Sequence, residues 1–415
     1  MMIRLTCCLA ALAMAGGALC EATWYKGATH LHSLWSDGDA APEYIIQWYR
    51  DNGWDFVCPS DHNVLLQGER YYDITEDKHL TPARVDELKA MFGADWVVVN
   101  DGKMRLKTLE ELRAHFQKPG EFILIEAEEM TTRGGNPHIN ALNLREPVDG
   151  LPNEGEKPGL IQHYIDVIAA QSKKYGIPMI VHLNHVNFAD RITTEEIIEA
   201  RGLHFFEVYN GHRSVYSWGI PDQGVPSHER HWDVVNSMKQ LREPGYIMYG
   251  VATDDSHNYF KAPGGVSNPG RGWIMVRSEA LEANALIEAM QRGDFYSSTG
   301  VTLKDVRAAD RSLGVTVAGE PGVTYTTQYV GTRRGFNQET RPALDAEGNP
   351  LKRSSLIYSD SIGEVLHETT DLESDYTFQG DELYVRARVV SDKLQPNPHE
   401  EGDYEMAWVQ PVLVK

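Results

Sequence analysis

The sequence predicts an α/β protein with an all-β segment appended, and three observations predict it. Short apolar runs alternate with helical patterns from about residue 24 to 300. His, Asp and Glu stand directly after several of those runs, and the helical patterns stop beyond Gly300. Alternation of strands and helices implies βα units and a parallel sheet, rolled or open. Polar residues placed just after strands are where a βα barrel carries its chemistry.

The elements follow in chain order. Trp54–Pro59, Phe122–Ile125, Ile177–Val181, Phe205–Tyr209, Ile247–Val251 and Trp273–Val276 read as strands, being short apolar or β-branched runs. Pro42–Asn52, Thr108–Gln117, Leu160–Tyr175, Thr194–Ala200, Trp232–Leu241 and Ala280–Gln291 carry helical periodicity. Residues 64–107 are rich in charge and poor in periodic runs, which reads as an insertion that either covers the site or makes a surface excursion. After Gly300, Val315–Val317, Tyr325–Val330, Leu383–Val390 and Ala407–Val414 are short strands separated by Gly, Pro, Asp and Asn, the pattern of an antiparallel β-sandwich.

The N-terminus reads as an export signal. Arg4 is the only charge before Glu21, Leu5–Leu19 is apolar or small apart from Thr6, and Ala18-Leu19-Cys20 ends the run. Cleavage before Glu21 makes the protein periplasmic or secreted. A lipid anchor at Cys20 is the weaker reading because Leu19 is not small, and a retained segment is the third. The organisation expected is thus a signal peptide over 1–20, a catalytic region over 21–300 and an accessory β domain over 301–415. Removing the signal leaves Cys58 as the one remaining cysteine of four, so no internal disulfide is expected. No later segment is a transmembrane span. A net charge of −21 argues against general nucleic-acid binding by the surface.

The chemistry is carried by His30-Leu-His32 with Asp37, Ser60-Asp-His-Asn63, Glu126 with Glu128-Glu129, His138, His182-Leu-Asn-His185 and Asp254-Asp-Ser-His257. Imidazoles and carboxylates at strand ends are the donors of a hydrolytic metal centre. Residues i and i+2 of a strand share a face, so His30 and His32 can reach one ion. Ser36 and Ser256 read as turn residues rather than nucleophiles. Asp61 precedes His62 and can orient it or relay a proton. Glu207 and Asn210 either face the mouth or form a buried hydrogen-bonded pair. Arg271, in Pro269-Gly-Arg-Gly272, either grips a phosphate oxygen or is a solvated loop residue.

As an ordered set, Thr29-His-Leu-His32 with Ser36-Asp-Gly38, Ser60-Asp-His-Asn63, Glu129 with His138, Asn184-His185 and Asp255-Ser-His257 resembles the PHP (polymerase and histidinol phosphatase) superfamily of metal-dependent phosphoesterases. Phe206–Gly211 and Arg292–Gly300 resemble exported members with an appended β domain. The resemblance implies a distorted (β/α)7 barrel before the small β-sandwich. It implies two or three divalent ions (zinc, manganese or iron) held by His30, His32, Asp37, His62, Glu129, His138, His185, Asp255 and His257. Glu126 and Glu128 stand beside Glu129 as alternatives, and His182 beside His185, where His185-Val186 departs from the family's His-Pro. Asp61 is then the expected catalytic residue, and Asn210 and Arg271 the expected substrate contacts. The activity implied is hydrolysis of a small phosphate mono- or diester by metal-activated water. The alternatives are an amide, carbamate or carboxylic ester hydrolase on the same centre, and a non-catalytic binding protein with structural metals.

Overall fold

The structure, a computed structural model, describes residues 22–132, 135–148, 155–261, 264 and 266–415. The expected export segment, with Cys20, lies outside the described residues.

Two sheets organise the molecule. A nine-stranded mixed sheet runs in the order Glu364–Thr369, Tyr325–Arg333, Glu382–Leu394, Tyr404–Leu413, Phe295–Ser298, Trp273–Ser278, Thr23–Ala28, Phe56–Val57, Ile123–Leu124. A five-stranded sheet runs Tyr249–Thr253, Phe205–Asn210, Ile180–Leu183, Gly135–Leu142, Ala127–Thr132. They share one apolar core, to which Phe56, Ile123, Ile274, Val276 and Phe295 contribute from the first sheet and Leu142, Ile180, Phe205 and Val251 from the second. Cys58 is buried in that core as a free thiol.

The expected (β/α)7 barrel is corrected here. Among the described residues no sheet closes; the strands divide between two open sheets, joined at the site by the isolated bridges Leu31–Ser256 and His62–Glu129. Antiparallel pairings are the physical reason. Ala127–Thr132 and Gly135–Leu142 form a hairpin, Gly135–Leu142 also runs antiparallel to Ile180–Leu183, and Thr23–Ala28 runs antiparallel to Trp273–Ser278. Each breaks the parallel repeat on which a (β/α) barrel is built. The expected separate sandwich is corrected too. Leu303–Ala309, Ser312–Val317 and Glu373–Thr377 form a second layer over Tyr329, Val385, Ala387 and Val389, but the sheet beneath is the far half of the nine-stranded one. Phe295–Ser298 pairs directly with Tyr404–Leu413, so the sheet runs unbroken across residue 300.

Helices pack on the outside and are set by local chemistry. Pro42–Asp51 opens on Pro42, whose missing N–H costs nothing in the first turn. Leu109–Phe116 and Thr194–Glu199 start at capping boxes, Thr108 with Glu111 and Thr193 with Glu196. The 64–107 region folds as a small sheet (Tyr71–Asp73, Val99–Asn100, Lys103–Arg105) and the helix Pro82–Phe92. Its Leu80, Val85, Leu88 and Met104 pack with Trp35, Ile45 and Ile46. One network ties the C-terminal strands to the rest. Arg386 forks onto both Asp233 oxygens (2.8 and 2.7 Å), and the Tyr384 hydroxyl donates to Oδ1 of Asp233 (2.8 Å) on the helix His228–Gln240.

Candidate metal centre

Seven of the nine candidate ligands follow strand ends, while Glu129 and His138 lie within the paired strands Ala127–Thr132 and Gly135–Leu142. Thr23–Ala28 runs on into His30-Leu31-His32; Leu31 points into the core, and the two flanking imidazoles share the opposite face. The chain then turns tightly at Ser33–Gly38. A Cβ on Gly38 would lie 2.3 Å from the His32 carbonyl oxygen, so only glycine fits. Asp37 sits at the tip of this turn, its side chain 56 % exposed. His62 follows Phe56–Val57 and bridges to Glu129 on the hairpin, whose second strand carries His138. His185 follows Ile180–Leu183, and Asp255 and His257 follow Tyr249–Thr253. His185 and Asp255 have φ of +25° and +47°. Such left-handed backbone costs an L-residue energy and is held here by its surroundings.

These residues converge. Donor atoms within 4.8 Å of one another form four groups: His32, Asp37, His62 and His257; His30, His185 and Asp255; His30, His32 and Glu129; His62, Glu129 and His138. Nε2 of His30 and of His32 lie 3.1 Å apart, and both are 3.2 Å from Oδ1 of Asp255. Oε2 of Glu129 is buried without a hydrogen bond yet lies 3.4 Å from His30, 3.3 Å from His32 and 2.9 Å from His62. Convergent nitrogen lone pairs around an orphaned carboxylate oxygen fit a metal cation.

Electrostatics point the same way. Burial alone would raise Glu129 and Asp255, but the rings of His62 and His30 hold Glu129, and His30 and His32 hold Asp255, well below the usual carboxylate range. Burial opposes a charge on His62, yet Glu129 and Asp37 lift it to about 9. The potential that draws a proton there draws a metal ion equally. His32, buried and beside His257 and His62, is pushed down to about 3, which leaves a neutral ring able to ligate.

The structure separates the neighbouring candidates. Glu129 belongs to two of the groups. Glu128 points to the other face and accepts from the Val148 N–H (3.2 Å), while Glu126 meets Arg113 (3.5 Å). His185 joins a group and His182 joins none among the described residues. Asp61 is buried, and its carboxylate accepts from the Ser33 N–H (2.8 Å), the Ser33 hydroxyl (2.9 Å) and the Ser36 hydroxyl (2.6 Å). It braces the turn that carries Asp37. Asn210 donates to Oε2 of Glu207 (2.8 Å) and to Oδ2 of Asp255 (3.1 Å). Arg271 is buried, and it donates to the carbonyls of Gly211 (2.7 Å) and Val266 (2.8 Å) and to Oδ1 of Asn268 (3.3 Å).

Glu207 does more than its sequence context suggests. It accepts from Nδ1 of His30 (2.7 Å), the Thr253 hydroxyl (2.7 Å), the His185 N–H (2.7 Å) and Asn210. Buried, yet surrounded by His30, His185 and His182, it is pulled down to about 2. Fixing Nδ1–H of His30 leaves Nε2 as the lone pair facing the centre. Asn184 donates to Oε1 of Glu129 (2.8 Å), and His212 stands beside His257, ring centroids 5.6 Å apart. The sequence signal for His212 is its place two residues after Asn210 at the end of a strand.

No family model and no curated protein matches the chain. Among solved structures it is similar to a two-domain protein from Bacteroides vulgatus ATCC 8482 containing a predicted PHP-like metal-dependent phosphoesterase, at 13 % identity and a TM-score of 0.38, over 94 % of this chain and 96 % of that one. A second, from Bifidobacterium adolescentis ATCC 15703 and also named for metal-dependent phosphoesterase activity, is similar at 14 % identity and a TM-score of 0.31, over 60 % of this chain and 94 % of that one. Likenesses this distant fix neither fold nor chemistry; the His/Asp/Glu groups, each able to hold a metal ion, are this chain's own.

Proposed function

We propose that this protein is a metal-dependent hydrolase that cleaves a small phosphate ester with water. One observation carries the reading: the four ligand groups overlap, with His30, His32, His62 and Glu129 each belonging to two of them. Structural zinc sites are closed and separate, whereas shared ligands place ions side by side. Divalent ions so placed lower the pKa of water and draw phosphoryl oxygens.

The chain's own residues supply the rest. His30, His32, Asp37, His62, Glu129, His138, His185, Asp255 and His257 would hold two or three ions. Glu207 fixes the His30 tautomer, Asn210 steadies Asp255, and Asp61 and Arg271 brace the loops on either side. Three ions bring six positive charges against the four negative ones of Asp37, Glu129, Glu207 and Asp255, so the centre favours an anionic substrate in a chain of net charge −21. No described helix is long and apolar enough to cross a membrane. Residues 1–20 support export, which N-terminal sequencing of the mature protein tests.

The test is reconstitution with zinc, manganese or iron, then turnover of phosphomonoesters, phosphodiesters, a carboxylic ester and an amide. Faster cleavage of phosphoesters supports the proposal. Cleavage of the amide or carboxylic ester alone overturns the substrate class, and no turnover with full metal overturns catalysis.

A further inference from the structure

Resting on the phosphoesterase reading, we propose that His212 and Phe188 form the leaving-group subsite, with Nε2–H of His212 donating a hydrogen bond to the ester oxygen that departs. Both residues are half-buried at the rim of the metal centre. The Phe188 ring lies 5.1 Å from His185 and 6.0 Å from His212, centroid to centroid, and His212 lies 5.6 Å from His257. The pair thus spans the gap between the group holding His185 and the group holding His257.

The tautomer of His212 is set by geometry. Its backbone N–H donates to Oδ1 of Asn210 (2.8 Å), and its Nδ1 accepts from the Ser214 N–H (3.2 Å). A ring nitrogen that accepts carries no proton, so in the neutral ring the proton sits on Nε2. The floor of the centre is carboxylate and imidazole, which suits ions and the phosphoryl oxygens. The organic part of the ester must then project toward the rim, where Phe188 offers an apolar face and His212 a donor.

In hydrolysis the bond from water oxygen to phosphorus forms and the bond from phosphorus to ester oxygen breaks. The electron pair stays on the leaving oxygen, which takes a proton through solvent at the open mouth as the water gives one up. His212 keeps its proton throughout; imidazolate is too basic to form, and the Ser214 amide cannot replace the proton. Its contribution is a hydrogen bond that strengthens as charge builds on the leaving oxygen.

The experiment compares wild-type, His212→Phe and His212→Gln holoenzymes on p-nitrophenyl phosphate and on phenyl phosphate, whose leaving group is poorer. The expected result is a loss in kcat/KM of about 100-fold on phenyl phosphate for His212→Phe and under about 10-fold on p-nitrophenyl phosphate. His212→Gln, which keeps an N–H donor, should recover much of the loss. Metal equivalents and inhibition by inorganic phosphate should stay at wild-type values, because the ions and not His212 hold the phosphoryl group. Equal losses on both esters, no loss on either, or a missing metal equivalent in His212→Phe would each overturn this role while leaving the phosphoesterase reading standing. A wild-type holoenzyme inert on both esters would overturn both.

Discussion

Glu207→Gln is the substitution whose consequences can be worked out most fully. The side chain is fully buried, and each of its oxygens accepts from two donors: Oε1 from His30 Nδ1 and the Thr253 hydroxyl, Oε2 from the His185 N–H and the Asn210 amide. A glutamine has one accepting oxygen and one NH2. With the NH2 toward the His185 N–H and the Asn210 amide, both hydrogen bonds are lost; with the NH2 toward His30 and Thr253, the hydroxyl can turn to accept, but Nδ1 of His30 must give up either its partner or its proton. Each buried group left unpaired costs about 1–3 kcal/mol. His30 loses the partner that fixes its tautomer, or His185 the anchor of its left-handed backbone. Loss of such a supporting partner lowers metal affinity about 10–100-fold, equivalent to about 1.4–2.8 kcal/mol. Competition against a chromogenic chelator measures the affinity, and urea unfolding of metal-free protein measures the stability. Affinity within about twofold of wild type, together with unchanged stability, would refute the reasoning.

Three further outcomes are expected. Asp255→Asn keeps a residue type tolerant of left-handed φ, so circular dichroism should stay native while at least one metal equivalent and most hydrolysis are lost; native metal content with near-full activity would remove Asp255 from the ligand set. Glu43 is buried on the helix Pro42–Asp51, and burial raises its carboxyl from 4.5 to about 7. Its folded form therefore holds a proton that the unfolded chain releases, and stability falls as pH rises from 4.5 to about 7. Glu43→Gln should be more stable than wild type at pH 8, by up to about 3 kcal/mol, and equal at pH 4; urea midpoints at the two pH values check it, and a variant less stable at pH 8 contradicts it. Arg271→Lys replaces a guanidinium whose Nη1 serves the Gly211 and Val266 carbonyls while its Nη2 reaches Oδ1 of Asn268 with one ammonium that lacks this fork, so thermal stability should drop and phosphoester and carboxylic ester turnover should fall together; a loss confined to phosphoesters would return Arg271 to the phosphate.

Much of the site was legible because strand ends collect side chains that are far apart in sequence. Apolar runs followed by His or Asp placed His30, His32, His62, His185, Asp255 and His257 near one mouth, and all six lie within the four groups. The helix Leu109–Phe116 was legible from Thr108 and Glu111, a local signal that the fold leaves intact. The hairpin carrying Glu129 and His138 was not, since Glu128-Glu129 with Thr131-Thr132 reads as polar text. Its strand character comes from pairing with Asn140 and Ile139 across the turn. Sheet closure was equally illegible: strand direction depends on tertiary pairing, and Thr23–Ala28 pairs antiparallel with a strand some 250 residues away. Arg271 shows the limit for single residues. A glycine-flanked arginine looks like a solvent-facing loop residue, and only the fold reveals the carbonyls that claim its guanidinium. Glu207 was half-legible, as one member of a hydrogen-bonded pair whose other three partners lie on separate segments.

The central claim is that overlapping His and carboxylate groups make one multi-ion centre. Elemental analysis of the full chain, stripped with chelator, reloaded separately with zinc, manganese and iron and freed of excess metal, tests it most directly. The account predicts two to three tightly held equivalents with at least one of these metals, falling when Glu129, shared by two groups, is changed to Gln. A value near zero with every metal, or a Glu129→Gln variant that keeps every equivalent, would contradict it.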